Sequence, residues 1–388
     1  MDFEFSEDQI ALRAAIEKLC AGFDAEYWLR KDADGGFPAD FHQAFARDGW
    51  LGIAMPEQYG GAGLGITEAA LMMHTVAASG AGMSGASALH MNIFGLNPVV
   101  VFGTDEQKQR WLPPLISGAD KACFCVTEPN IGLNTTRLKT KAEKHGDHYV
   151  VSGQKIWIST AQVTNKMLLL ARTAPLEQTG KPSQGLSLFY TDFDRQFVQA
   201  HEIPKMGRKA VDSNQVFIDG LKVPVADRIG DEGRGFEYIL HGMNPERILI
   251  AAEAVGLGQV ALKRAAEYAK ERIVFDRPIG QNQAIQHPLA QRWIELEAAS
   301  LLVFKAASLY DAGKPCGAES NAAKYYAGEV GFKACETAVM TMGGMGYAKE
   351  FHVERYLREA FIPRIAPVSP HLILCFIAEK VLGMPKSY

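Results

Sequence analysis

Two stretches near the middle of the chain, Phe124 to Asn134 (FCVTEPNIGLN) and Gln154 to Ser159 (QKIWIS), decide how the rest is read. In the first, the apolar run Phe124, Cys125, Val126 delivers Thr127 and Glu128 into a turn marked by Pro129, Asn130 and Gly132. A strand that ends in such a loop offers backbone N–H groups and a hydroxyl, which suit the polar edge of a flat aromatic ligand and a nearby pyrophosphate. The second stretch follows a hairpin signal at Gly146-Asp147, and period-2 alternation from His148 onward sets Trp157 and Ser159 on one face with Ile158 between them. Trp supplies a face for ring packing, and Ser can hydrogen-bond a ring nitrogen. Taken singly, the same residues also describe two ordinary strands of a β-barrel with a buried Trp.

Composition narrows the class. A chain of 388 residues exceeds one compact core and predicts two or three domains. With a formal charge of −4 and no run of Lys or Arg, it has no basic field for nucleic acid. Its six cysteines are scattered, and the one close pair, Cys123 and Cys125, points to one face of a strand rather than showing a zinc spacing, so no metal is expected. No apolar run reaches the ~18 residues of a membrane span. The acidic start, MDFEFSEDQI, reads as a helix and not as a targeting segment. The expected location is the bacterial cytoplasm, or the mitochondrial matrix in a eukaryote.

Periodicity divides the chain in three, an α+β arrangement. Residues 1–119 are helical, opening with a capping box at Ser6 and Gln9 and apolar positions Leu12, Ile16, Leu19 and Phe23. Residues 120–228 are a β-barrel-like middle domain, with strands over 139–143, 148–158, 167–172, 186–191 and 215–218, and Asp219-Gly220 reading as a second hairpin turn. Residues 229–388 return to helical period, as in a four-helix bundle. This order lacks the alternating β and α units of a Rossmann fold. Gly60, Gly61, Gly63 and Gly65 read as a tight interdomain turn, because no Gly-Lys-Ser/Thr follows them as in a phosphate loop.

In combination and in order, the two central stretches resemble the middle domain of the acyl-CoA dehydrogenase family. The likeness extends through Pro56–Gly63 (PEQYGGAG), Arg272–Gln283 (RIVFDRPIGQNQ) and Gly343–Tyr347 (GGMGY). It implies FAD as cofactor, oxidation of an acyl-CoA to the 2-enoyl-CoA in fatty acid metabolism, a homotetramer built as a dimer of dimers, and electron delivery to an electron-transfer flavoprotein. The chemistry needs a base for the α-proton, best a carboxylate whose pKa burial raises. Many members keep that Glu in a segment before the last helix, where this chain has Pro367. The isovaleryl- and long-chain-type members place it before an Arg on a C-terminal helix, which here is Glu246 in NPERILI. Read alone, Glu246 is better taken as a first-turn Glu after Pro245, favoured by the helix dipole; the resemblance and the vacant position at Pro367 reverse that preference.

The resemblance also places Phe124, Cys125, Val126, Thr127, Trp157, Ile158 and Ser159 against the flavin. Arg272 and Phe275 from a neighbouring subunit reach the phosphate and adenosine side, while Gln283, Gly343, Gly344, Ser369 and His371 match further cofactor contacts. Arg272 read alone is a surface ion pair with Glu271 or Asp276. Asn244 and Arg247 fall toward the CoA portion, and Ala86, Ser87 and His90 toward the acyl tail. The family polarises the thioester carbonyl with a main-chain N–H that proline lacks, so the N–H of Val368 or a shifted loop is the expected substitute. Departures are Leu133, Asn134, Asp276 and Met340 where the family has Ser, Asp, Gly and Gln. The alternatives are a flavin oxidase or monooxygenase, or a non-catalytic FAD- or acyl-CoA-binding homologue.

Overall fold

The computed structural model describes residues 4–91, 93 and 96–387. The N-terminal part is built from α1 (Glu7–Cys20), α2 (Ala25–Asp34), α3 (Ala39–Arg47), α4 (Ile66–Val76), α5 (Gly82–His90), α6 (Asn97–Phe102) and α7 (Asp105–Ile116). Helix α1 starts where the sequence says it should. Ser6 accepts from the Gln9 N–H, and Gln9 returns a side-chain acceptor to Ser6, closing the capping box over Leu12, Ile16 and Cys20 on the buried face.

The middle part carries β1 (Ala122–Cys125), β2 (Lys141–His145), β3 (His148–Ser159), β4 (Lys166–Arg172), β5 (Leu186–Asp192), β6 (Val198–Glu202), β7 (Ser213–Pro224) and β8 (Arg228–Ile229). They form one sheet in the order β6-β7-β3-β2-β4-β5-β8, with β1 parallel to β4. Strand β4 is covered on both faces: Leu168 and Leu170 meet Trp111, Leu112 and Leu115 of α7, while Met167 and Leu169 join Tyr149, Val151 and Val216 inside the curled sheet. Gly146 and Asp147 make the expected two-residue turn, with His145 opposite His148 and Gly146 at φ 62°.

Asp219-Gly220 does not make the second hairpin. Both residues lie within β7, where pairing jumps from Gly153↔Ile218 to Val151↔Leu221. They form a bulge, with Gly220 at φ 68° and its N–H on the Ser152 hydroxyl.

The C-terminal part holds α8 (Gly235–His241), three long helices α9 (Met243–Glu271), α10 (Gln283–Asp311) and α11 (Gly317–Met342), and the short α12 (Gly344–Tyr347), α13 (Val353–Glu359), α14 (Ile362–Ile365) and α15 (Pro370–Lys380). Between α9 and α10 lies the hairpin β9 (Ile273–Val274) and β10 (Arg277–Pro278). Val353–Lys380 contains an 18-residue window with the composition of a membrane span, of mean hydropathy 1.6. It is folded as α13, α14 and α15, with a cis Ala366-Pro367 bond between the last two.

The first and last thirds share one core. Ile16, Trp28, Phe41, Leu71 and Met72 pack with Ile248, Leu249, Val255, Leu296 and Val330 in a single cluster, each such side chain contributing on the order of 1.5–3 kcal/mol. Close approach of α9 to α4 depends on Gly256, where a Cβ would stand 2.3 Å from the His74 carbonyl oxygen. The Gly60–Gly65 loop ends at a second junction. The Ile66 and Thr67 N–H groups donate to Asp311 of α10 at 2.8 and 2.9 Å, so a protein carboxylate already holds the start of α4.

Candidate functional site

The two central stretches meet in space. The Ile156 N–H donates to the Thr127 carbonyl at 2.9 Å. The fully buried Lys155 ammonium reaches Val126 O at 3.1 Å, Leu170 O at 2.8 Å and Glu128 Oε1 at 3.1 Å. Glu128 also accepts the N–H groups of Lys139 and Thr140 at 2.6 and 2.8 Å. Burial works to raise its pKa, but Lys155 and these hydrogen bonds outweigh it and hold the carboxyl below its ordinary range. Burial in turn lowers the pKa of Lys155 against the pull of Glu128. We read the pair as ionic because three donors converge on one carboxylate.

This clamp fixes the shape of the Thr127 loop. The Thr127 N–H finds no acceptor among the described residues. Trp157 sits at a register shift between Ile156 and Ile158, at φ 61°, with its ring 57% exposed. The buried barrel Trp is therefore not what this sequence makes, and a left-handed non-Gly residue beside an open loop is the kind of strain that functional sites retain. Cys125, Val126 and Ile158 point into the core, so only their main chain is available to a ligand, and Phe124 is half-buried against it. The free N–H, the open indole and the Ser159 hydroxyl together fit the edge and face of a polar heteroaromatic ring.

A buried charged network stands behind them. Arg208, which sequence reasoning missed, has φ 57° and donates to the hydroxyls of Ser87, Ser159 and Ser213, each at 3.1 Å. Burial lowers its pKa, while Glu359, Glu253 and Asp212 act in the opposite sense. Helix α5, which carries Ser87 and His90, is tied down at its start. Glu359 of α13 accepts from the Met83 N–H at 2.7 Å and the Ser84 hydroxyl at 2.6 Å, and Arg355 donates to Gly80 O at 2.7 Å.

At the other end of α5, the ring of His90 lies between two carboxylates of α9. Its Nε2 donates to Glu246 Oε2, and its Nδ1 donates to Glu253 Oε1 at 2.5 Å. Glu246 and Glu253 are seven residues apart and share a helix face. Glu246 is 6% exposed and Glu253 fully buried. Burial would lower the pKa of His90, but the facing Glu246 and Glu253 raise it well above its usual value. Burial dominates at Glu253 and raises its pKa despite His90. The sequence signal for this arrangement was Glu253 itself, a lone carboxylate in the apolar run ILIAAEAVGLG.

Next to Glu246, the residues Asn244, Arg247 and Val368 come together as expected, lining one cavity of about 480 Å³ with Asn321 and Leu372. Arg247 donates to Met243 O and Asn244 Oδ1 at 3.2 and 3.3 Å. Lys324, also unforeseen, fastens the Pro367 loop by donating to Val368 O at 2.6 Å and Arg364 O at 3.3 Å. Burial brings its pKa down to about 8, against the pull of Glu246. The Val368 N–H has no acceptor among the described residues. Ser369 caps α15 by accepting from the Leu372 N–H, and His371 is exposed.

The remaining candidates lie on the surface. Phe275 and Asp276 form the two-residue turn of the β9–β10 hairpin with φ 53° and 64°, which accounts for Asp at a position where Gly is expected, since Asp tolerates left-handed backbone. Phe275 is 94% exposed. Arg272 makes no ion pair with Glu271 or Asp276. Gln283, Gly343 and Gly344 are exposed, and added Cβ atoms at the two glycines would meet nothing within 4 Å. A larger cavity of about 510 Å³ between α1, α4 and α9 holds none of the expected residues.

Models of the acyl-CoA dehydrogenase N-terminal, middle and C-terminal domains match residues 6–119, 123–221 and 233–367. The chain is 36% identical to the acyl-CoA dehydrogenase fadE12 of Mycobacterium bovis over 397 aligned residues, covering 99% of this chain and 98% of that protein. Butyryl-CoA dehydrogenase from Megasphaera elsdenii matches with TM-score 0.93 and 28% identity, over 98% of this chain and 100% of that one. Glutaryl-coenzyme A dehydrogenase in complex with glutaryl-CoA matches with TM-score 0.94 and 30% identity, over 100% and 98% of the two chains. With all three family domains in sequence and the flavin-type loop assembled as described, this chain belongs to the acyl-CoA dehydrogenase family and is an FAD-dependent oxidoreductase of acyl-CoA thioesters.

Proposed function

We propose that Glu246 is the base that removes the α-proton of the acyl-CoA. FAD, when bound, accepts the hydride from the β carbon, yielding the 2-enoyl-CoA. The observation that carries this reading is the position of Glu246: a buried carboxylate on the first turn of α9, between Asn244 and Arg247 in the chain, which themselves line a cavity with Val368, while Pro367 leaves the alternative position without an acid. Asn244 and Arg247 bind the CoA portion. The unpaired Val368 N–H, on a loop that Lys324 holds, donates to the thioester oxygen as charge develops there.

Thr127, Trp157 and Ser159 hold the flavin ring, together with the main chain of Phe124, Cys125, Val126 and Ile158. Ser369 and His371 close the site from the loop before α15. Arg272, Phe275, Gln283, Gly343 and Gly344 serve the FAD of a neighbouring subunit in a homotetramer. Their exposure, and that of Trp293, Ile294, Leu301 and Leu382, supports a partner copy over this face. Electrons leave to an electron-transfer flavoprotein, and the enzyme works in the cytoplasm.

Anaerobic titration of the FAD-loaded enzyme with a panel of acyl-CoAs, followed by flavin absorbance, tests the reading. Glu246→Gln is expected to slow flavin reduction roughly 10²- to 10⁴-fold with little change in acyl-CoA affinity. Unchanged reduction kinetics would remove Glu246 from the role.

A further inference from the structure

Glu246 does not stand alone. Its Oε2 is held by His90, while its Oε1 has no hydrogen-bond partner among the described residues. Beyond the imidazole lies Glu253, a fully buried carboxylate whose Oε1 is bonded to His90 and whose Oε2 has no partner. A carboxylate in an apolar helix with one bond is costly unless a charge faces it. The two ring nitrogens facing two carboxylates make His90 an imidazolium.

We propose that His90 is a positioning residue for Glu246 and that Glu253 is its permanent counter-ion; this rests on the reading of Glu246 as base. His90 turns Glu246 so that Oε1 meets the substrate, and Glu253 fixes the ring through Nδ1. The charges explain why two carboxylates are present. When Glu246 takes the α-proton it becomes neutral, and without Glu253 that step would leave a buried cation facing a neutral acid. With Glu253 the cation stays paired before and after the transfer. Arg247 of α9 and Lys324 of α11 also act on Glu246, and Arg208 acts on Glu253 from the middle domain, with Glu359 of α13 beyond it. These groups are the same in every variant below, so a change between variants reports the His90–Glu253 pair.

The test is the pH profile of anaerobic flavin reduction by one reactive acyl-CoA, measured on FAD-loaded wild type, His90→Gln, Glu253→Gln and Glu246→Gln. Gln at 90 keeps a neutral N–H donor and loses the positive charge, which lets Glu246 hold a proton more tightly. The acid limb of the rate profile is expected to move up by about 1–2 pH units in His90→Gln, the range for loss of an adjacent opposite charge. Glu253→Gln is expected to move it the opposite way, down, by a smaller amount, because without Glu253 a proton on Glu246 leaves the buried His90 cation unpaired. Substrate affinity should change less than about threefold in both, since neither residue lines the cavity of Asn244 and Arg247. Limbs within 0.3 units of wild type in both variants, while Glu246→Gln is dead, would make the pair merely structural and overturn the proposal. Wild-type reduction by Glu246→Gln would instead overturn the assignment of the base. If His90→Gln does not fold, Glu253→Gln decides alone: an unshifted limb rejects the proposal.

Discussion

Lys155 shows what a single residue does for the Thr127 loop. It is a cation on the inward phase of β3, in line with Tyr149 and Val151, and it survives there because Glu128 and two carbonyls face it. Lys155→Met should leave Glu128 buried without a counter-charge and cost roughly 3–5 kcal/mol in urea unfolding. Glu128 also sets a pH dependence. Its folded pKa lies below the ordinary carboxylate value, so the native state binds fewer protons than the unfolded chain in that interval. The stability it confers is fully present above the unfolded value near ~4.3 and drains as pH falls through the folded value. Glu128→Gln should therefore start less stable at pH 7 and show a flatter loss between pH 5 and 3, read from urea midpoints; a parallel loss would contradict the assignment. The Thr127 loop and the strand of Trp157 and Ser159 were legible because their signals are local motifs. Glu253, Arg208 and Lys324 were not, nor was the pairing of His90, because each takes its meaning from a partner far along the chain, 156 residues away in the case of His90 and Glu246.

Elements carry the next layer, and the bulge at Trp157 is the clearest. Left-handed backbone at a bulky residue costs on the order of 1–3 kcal/mol, and the exposed ring recovers little of that by packing within its own chain. Trp157→Gly should leave the FAD-free protein at least as stable to heat as wild type while weakening FAD retention on gel filtration. A lower melting temperature of the apoprotein would show that the ring packs for stability and not for the cofactor. The start of α4 gives a second case. Asp311 accepts two backbone N–H groups and the Thr67 hydroxyl, so Asp311→Ala should cost about 1–2 kcal/mol, a lost N-cap, in a urea melt. Strand and helix periods were readable along most of the chain, including the Gly146-Asp147 turn. Asp219-Gly220 was misread because the same dipeptide serves turns and bulges. The inward positions switch from even numbers, Val216 and Ile218, to odd ones, Leu221 and Val223, across it, and that change of phase marks an inserted residue. β6 was missed because Gln199, Ala200, His201 and Glu202, all of it but Val198, show little apolar alternation and it owes its existence to pairing with β7.

At the scale of the whole molecule, the helical, β and helical order was visible in the change of period, but the shared core of the first and last thirds was not, since long-range packing leaves no local pattern. The assembly is equally invisible to one chain. Phe275 and Tyr347 stand 94% and 86% exposed, and Arg272 has no ion pair among the described residues, while the Thr127 loop and Trp157 present an open platform elsewhere. If each FAD is shared between two subunits, the platform of one must meet the Arg272 hairpin of the other. Arg272→Ala and Trp157→Ala should then each reduce bound FAD when made alone. Co-expressed, they should recover it in part. Random pairing makes about half the dimers mixed, and each mixed dimer has one site built from an intact platform and an intact hairpin, so FAD content should return to about a quarter of wild type. The opposite site of that dimer carries both lesions and stays empty. Differently tagged copies, purified in tandem, would isolate the mixed species, in which half the sites should hold FAD. If Arg272 instead serves the FAD of its own chain, no site in any mixed dimer is intact, and co-expression recovers nothing.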